Sequence, residues 1–233
     1  MNSLIPMQSR AGGADAGVSA AQRNRVLRNT YWLLALSMVP TVLGAWIGVS
    51  TGVASAMSPG VGLIVFLAGA FGFMFAIEKT KNSSAGVPVL LAFTFFMGLM
   101  LSRLIGQVLG LANGANLVML AFAGTGVIFL GMAALSSVIK RDLSSMGKML
   151  FIGAVLLLVA GIANFFIQSS ALMLTLSVLA IGIFSAFILH DLKRVQDGLE
   201  TNYISATLGV YLSIYNVFQS LLAVLGLTSG RDE

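Results

Sequence analysis

Apolar residues run through most of this chain in long unbroken blocks instead of alternating with polar ones. Seven blocks approach the length of a membrane-crossing helix, about 20 residues for a hydrocarbon layer of about 30 Å. They span residues 31–50, 61–77, 87–106, 117–138, 149–168, 171–190 and 204–227. Turn-forming and charged residues separate them, among them Ser58-Pro59-Gly60, Gln168-Ser169-Ser170 and the stretches 78–84, 110–116, 140–148 and 191–202. The pattern predicts an all-α membrane protein with seven transmembrane helices.

The last block differs from the other six. Ser205, Gly209, Ser213, Asn216 and Ser220 recur three or four residues apart, which stacks them on one helical stripe. Tyr215 and Gln219 border that stripe. Small and hydroxyl residues at such spacing let helices approach closely and bond across the contact, and a polar stripe can also line a wet conduit. Either use predicts a last helix central in the bundle. A six-span layout with this segment re-entrant is the competing arrangement. Residues 1–28 lack a sustained apolar face and read as a disordered cytoplasmic tail, leaving 29–233 as the transmembrane domain. Leu4-Ile5-Pro6-Met7 is too short for the apolar core of a cleavable signal.

Composition agrees with this reading. Of 233 residues, 58% are hydrophobic and 9% charged, with a mean hydropathy of +0.96. So few charges cannot cover a water-facing surface, since soluble domains carry about 25%. The net charge of +5 does not point to nucleic acid, because the basic residues are not gathered on one element. They report topology instead. Arg10, Arg23, Arg25 and Arg28 precede the first span, Lys79 and Lys81 follow the second, Lys140, Arg141 and Lys148 follow the fourth, and Lys193 and Arg194 follow the sixth. Only Arg103 and Arg231 of the 13 lie elsewhere. The positive-inside rule then puts the N-terminus in the cytoplasm, and seven crossings put the C-terminus outside.

Few residues offer chemistry. With no Cys and one His there is neither a thiolate site nor a His cluster, so no metal or other cofactor is expected. H-E-x-x-H does not occur, and neighbours such as His190 and Asp191 do not share a helix face, so no enzyme is expected. Arg103 lies near the outer end of the third span, where it either snorkels to the interface or acts as a gate within the bundle. Asp191 closes the sixth span. It is either solvated beside Lys193 and Arg194, or tucked into the bundle against Lys79 or Lys81 as a pH-sensitive latch. Glu78 reads as an interfacial acid.

Three stretches carry a resemblance. Residues 184–195, the run Gly198-Leu199-Glu200-Thr201-Asn202-Tyr203-Ile204-Ser205-Ala206-Thr207, and Tyr211-Leu212-Ser213-Ile214-Tyr215-Asn216-Val217-Phe218 with Leu221-Leu222 resemble the Bax inhibitor (transmembrane BAX inhibitor motif) family. Together with Val26-Leu27-Arg28-Asn29-Thr30-Tyr31 they are similar to its bacterial YccA-like branch. The resemblance covers the chain from about residue 26 onward. It implies a bacterial inner-membrane protein that modulates the membrane AAA protease FtsH and is slowly processed by it. The wider family implies an alternative, a pH-sensitive leak for calcium ions gated by two aspartates on the last two spans. Asp191 matches the first aspartate, whereas Ser213 stands at the second. The residues assigned to an ion pathway or latch are therefore Asp191, Ser213, Asn216, Lys79, Lys81 and Arg103.

Overall fold

A computed structural model describes residues 19–143 and 145–230. Its helices are α1 (Ala20–Thr51), α2 (Val53–Ala56), α3 (Pro59–Thr80), α4 (Gly86–Leu109), α5 (Gly114–Val138), α6 (Met146–Ile167), α7 (Ser170–Gln196) and α8 (Tyr203–Ser229). All but the four-residue α2 are long and apolar enough to cross a membrane. The seven apolar blocks thus correspond in order to seven helices, and the added element is the short α2 in the first connection. Helix α8 is continuous over 27 residues, about 40 Å at 1.5 Å per residue. It has no break of the kind a re-entrant segment requires.

Helices α4 and α8 each pack against several neighbours. Helix α1 packs most extensively on α4, α8 packs on α7, α5, α1, α4 and α3, and α6 lies against α7. The main core joins Leu33 and Leu34 of α1, Ile77 of α3, Phe93 and Met97 of α4, Ile188 and Leu192 of α7, and Val210, Tyr211 and Val217 of α8. A second cluster at the other end joins Val108, Leu117, Ala121 and Leu222. Large apolar side chains such as Ile64, Phe71, Phe122, Val127, Phe151 and Phe166 point outward. Water would penalise such a surface and lipid tails would not.

Polar groups inside the bundle are answered locally, as an apolar solvent demands. Thr30, Thr125, Ser177 and Ser185 each donate to the carbonyl four residues earlier. Among the described residues, every buried side-chain nitrogen and oxygen has a partner.

The N-terminal boundary departs from expectation. Residues 1–28 were expected to form the tail, yet α1 starts at Ala20, with the Ser19 hydroxyl accepting from the Gln22 N–H at 3.2 Å. The reason is a small set of tertiary contacts, not a long apolar face. Val26 packs with Val195 and Ala206, and Arg23 Nη1 donates to the Gln196 carbonyl at 3.4 Å. Residues 1–18 lie outside the described residues.

Candidate functional site

The site builds from the end of α7. Phe184, Phe187 and His190 succeed one another along that helix. The Phe184 and Phe187 rings stack at 5.9 Å, and the imidazole meets Phe187 edge-on at 6.5 Å. Asp191 follows. Its Oδ1 lies 3.1 Å from His190 Nδ1, and the two side chains are only 18% and 7% exposed. The expectation that these neighbours stay apart is therefore wrong. Successive Cβ atoms diverge around a helix, but both side chains bend into the seams beside α7, where their tips meet.

Glycines in the adjoining helices make room for the pair. A Cβ on Gly147 of α6 would sit 2.7 Å from His190 Nε2, and one on Gly209 of α8 would sit 2.8 Å from Asp191 Oδ2. Each is closer than van der Waals contact allows. The His–Asp pair is thus clamped between α6 and α8, with the carboxylate in the α7–α8 seam. Gly209 lies one turn before Ser213, so the acid faces the start of the polar stripe.

That stripe is bonded within its own helix. The buried Ser213 hydroxyl donates to the Gly209 carbonyl at 3.0 Å, and the half-buried Asn216 amide donates to the Leu212 carbonyl at 2.8 Å. Ser185 likewise directs its proton to Ile181. The hydroxyls of Ser185 and Ser213 donate to their own helices and not to the imidazole.

The expected bases are elsewhere. Lys81 pairs with Glu78 one turn back, and Lys79 lies over the Phe75 ring at 5.4 Å. Each has its partner on α3, and among the described residues neither is paired with Asp191. Lys193 pairs with Asp197. Arg103 is far from all of these. Its Nη1 donates to the Met57 carbonyl at 3.3 Å, which ties α4 to the α2–α3 connection.

A second polar cluster was not expected at all. Tyr211 of α8 places its hydroxyl 2.9 Å from the Thr41 hydroxyl of α1 and 3.4 Å from the Thr94 carbonyl of α4. Tyr215, one turn on, donates to the Met97 carbonyl at 3.4 Å. The signal available was Tyr211 and Tyr215 four residues apart on the helix that carries the polar stripe, since a buried phenol needs a partner.

At the end bearing His190 and Asp191, the α7–α8 connection is folded tightly. Gly198 takes a positive φ of 77°, which lets the Leu199 and Glu200 N–H groups return to the Arg194 carbonyl. Glu200 then accepts from the Asn202 N–H at 2.9 Å. The Asn202 side chain caps α8 and donates to the Lys81 carbonyl at 3.1 Å and to Asn82 Oδ1 at 2.8 Å.

The family described as Inhibitor of apoptosis-promoting Bax1 has a model that matches residues 23–230. The chain is 38% identical over 214 residues to the Escherichia coli K12 protein named Modulator of FtsH protease YccA, covering 92% of this chain and 94% of that protein. It is 37% identical over 211 residues to an uncharacterized membrane protein of Vibrio cholerae, covering 91% and 93%. It is 34% identical to an uncharacterized protein of Pasteurella multocida over the full length of both.

Proposed function

The chain belongs to the Bax inhibitor family, and from that premise we propose that it modulates the membrane AAA protease FtsH by occupying it as a slowly processed substrate. The observation that carries this reading is the 38% identity, over 92% of the chain, to the relative named as a modulator of that protease. The physical route has two parts. The segment before Ser19, which is polar and glycine-containing in sequence, serves as the handle that an unfolding ATPase grips. The first structure a pull then meets is α1, which is capped at Ser19 and packed along α4. Extraction also takes each helix out of lipid, against tens of kcal/mol of apolar transfer by the usual area coefficient of about 25 cal/mol per Å².

This reading places the protein in the bacterial inner membrane, with the N-terminus cytoplasmic and the C-terminus periplasmic. Co-purification of the full chain with FtsH tests the partnership, and its failure under crosslinking removes the proposal. Deleting residues 2–18 tests the handle. Protease-dependent turnover in cells should slow, and unchanged turnover would show that the handle lies elsewhere.

A second reading, a pH-sensitive leak for calcium or other cations, is favoured by one feature. Asp191 holds a carboxylate in the α7–α8 seam beside Gly209, at the foot of the stripe through Ser213 and Asn216. Ser213 counts against it, because a single acid there lacks the like-charge coupling of two carboxylates. Calcium flux into liposomes, compared with Asp191→Ala, decides the matter. Absence of flux at every pH between about 5 and 8 eliminates the leak.

A further inference from the structure

The start of α1 carries an unexplained surface. Two grooves, of about 430 and 370 Å³, flank one side chain, Trp32. Asn24, Leu27, Arg28 and Tyr31 line the first, and Asn29, Leu36 and Tyr203 contribute to the second. Trp32 stands between them 73% exposed. Arg28 is one helical turn before it on the same face, and Arg25 is three residues before Arg28. Both arginines are exposed, and among the described residues neither has a carboxylate partner. Beyond Trp32 the same face continues as Leu36 and Val39, exposed at 49% and 56%.

Read from the helix start, this face runs from cation to aromatic to aliphatic. An occupant must match it with an anionic head, an interfacial middle and an apolar tail. We propose that the α1 face around Trp32 is a binding site for an anionic phospholipid, in the leaflet on the side of the α1 N-terminus. Its phosphate lies on Arg28 and Arg25, and its two acyl chains straddle Trp32 in the two grooves. Aromatic rings at headgroup depth and unpaired cations just above them are the elements that such recognition uses. The proposal goes beyond the protease reading and is independent of it.

The test uses the full chain carrying Trp46→Phe, which leaves Trp32 as the sole tryptophan. The protein is reconstituted into phosphatidylcholine vesicles containing equal mole fractions of either brominated phosphatidylglycerol or brominated phosphatidylcholine. Trp32 fluorescence should be quenched more by the glycerol lipid, reflecting roughly fivefold local enrichment per arginine, the Boltzmann factor of a basic side chain at an anionic surface. Arg25→Gln with Arg28→Gln should abolish the difference, and Arg141→Gln should preserve it. Helicity measured by circular dichroism checks the fold of each variant.

Equal quenching by the two lipids overturns the proposal even without the variants. So does a difference that survives the double substitution, or one lost equally with Arg141→Gln, which would mark diffuse surface attraction. Loss of the difference on adding inorganic phosphate at constant ionic strength would assign the cations to a free anion, and that also overturns it.

Discussion

Three glycines set how closely α1 and α4 approach. A Cβ on Gly44 would collide with the Phe95 carbonyl, one on Gly48 with the Ser102 hydroxyl, and one on Gly98 with the Thr41 carbonyl. Gly72, by contrast, has open space around it. Gly98→Ala should therefore cost about 1–3 kcal/mol, the usual range for overpacking, while Gly72→Ala should be neutral or stabilising in thermal unfolding in detergent. Equal effects of the two would mean that the helices are not in backbone contact. The adjacent Tyr211 network gives a smaller expectation. Tyr211→Phe should lose about 0.6 kcal/mol, the average for hydrogen bonds between membrane helices, and Thr41→Val should add little once the phenol is gone. Additive losses in the double-mutant cycle would show that the 2.9 Å contact carries no coupling. At this scale the sequence was only partly legible. Gly44-Ala45-Trp46-Ile47-Gly48 is a G-x-x-x-G run whose two glycines both meet α4, whereas Gly72, Gly126 and Gly161 have nothing within 4 Å. A glycine shows that close approach is permitted. Only the partner helix shows whether it happens.

At the scale of the element, the start of α8 depends on one side chain. Asn202 accepts from the Ile204 and Ser205 N–H groups at 2.9 and 3.1 Å while its amide bonds across to the α3–α4 connection. Asn202→Ala removes both functions, and Asn202→Ser keeps the cap but gives up the reach. Loss of the cap alone is worth about 1 kcal/mol. Alanine should therefore destabilise more than serine in thermal unfolding, while both should speed proteolysis within 81–85 and 197–202. If serine protects these connections as well as asparagine does, the link between the two connections is not structural. The extent of each long helix could be read from apolar length, because lipid thickness fixes it. The ends could not, since α1 gains its first turns from Val26 against Val195 and Ala206, contacts between residues far apart in the sequence. The same limit hid the His190–Asp191 contact. Helix geometry alone separates neighbours, and the glycine faces at Gly147 and Gly209 that admit both side chains lie on other helices.

For the whole molecule, the charge pattern and the packing divide the bundle in the same way. Arg23 of α1 reaches Gln196 at the end of α7, Gln196 reaches Ser136 near the end of α5 at 2.9 Å, and Asn202 reaches Lys81 after α3. These bonds collect the start of α1, the ends of α3, α5 and α7, and the start of α8 on one face. Most of the lysines and arginines accompany them. The opposite face holds Arg103 on Met57 and the end of α8, where a Cβ on Gly226 would touch Val108 and one on Gly230 would lie near Leu111. An odd number of long helices leaves the start of α1 and the end of α8 on opposite faces, and the positive-inside rule predicts that the face with excess basic charge is the cytoplasmic one. The absence of native cysteine makes this directly measurable by thiol labelling. In intact cells with a permeable outer envelope, a membrane-impermeant maleimide should label Ser229→Cys and spare Ser19→Cys. In inverted membrane vesicles the two should exchange behaviour. Labelling of both from one side would require an even number of crossings, and the helix that fails to cross would then have to be found among the seven.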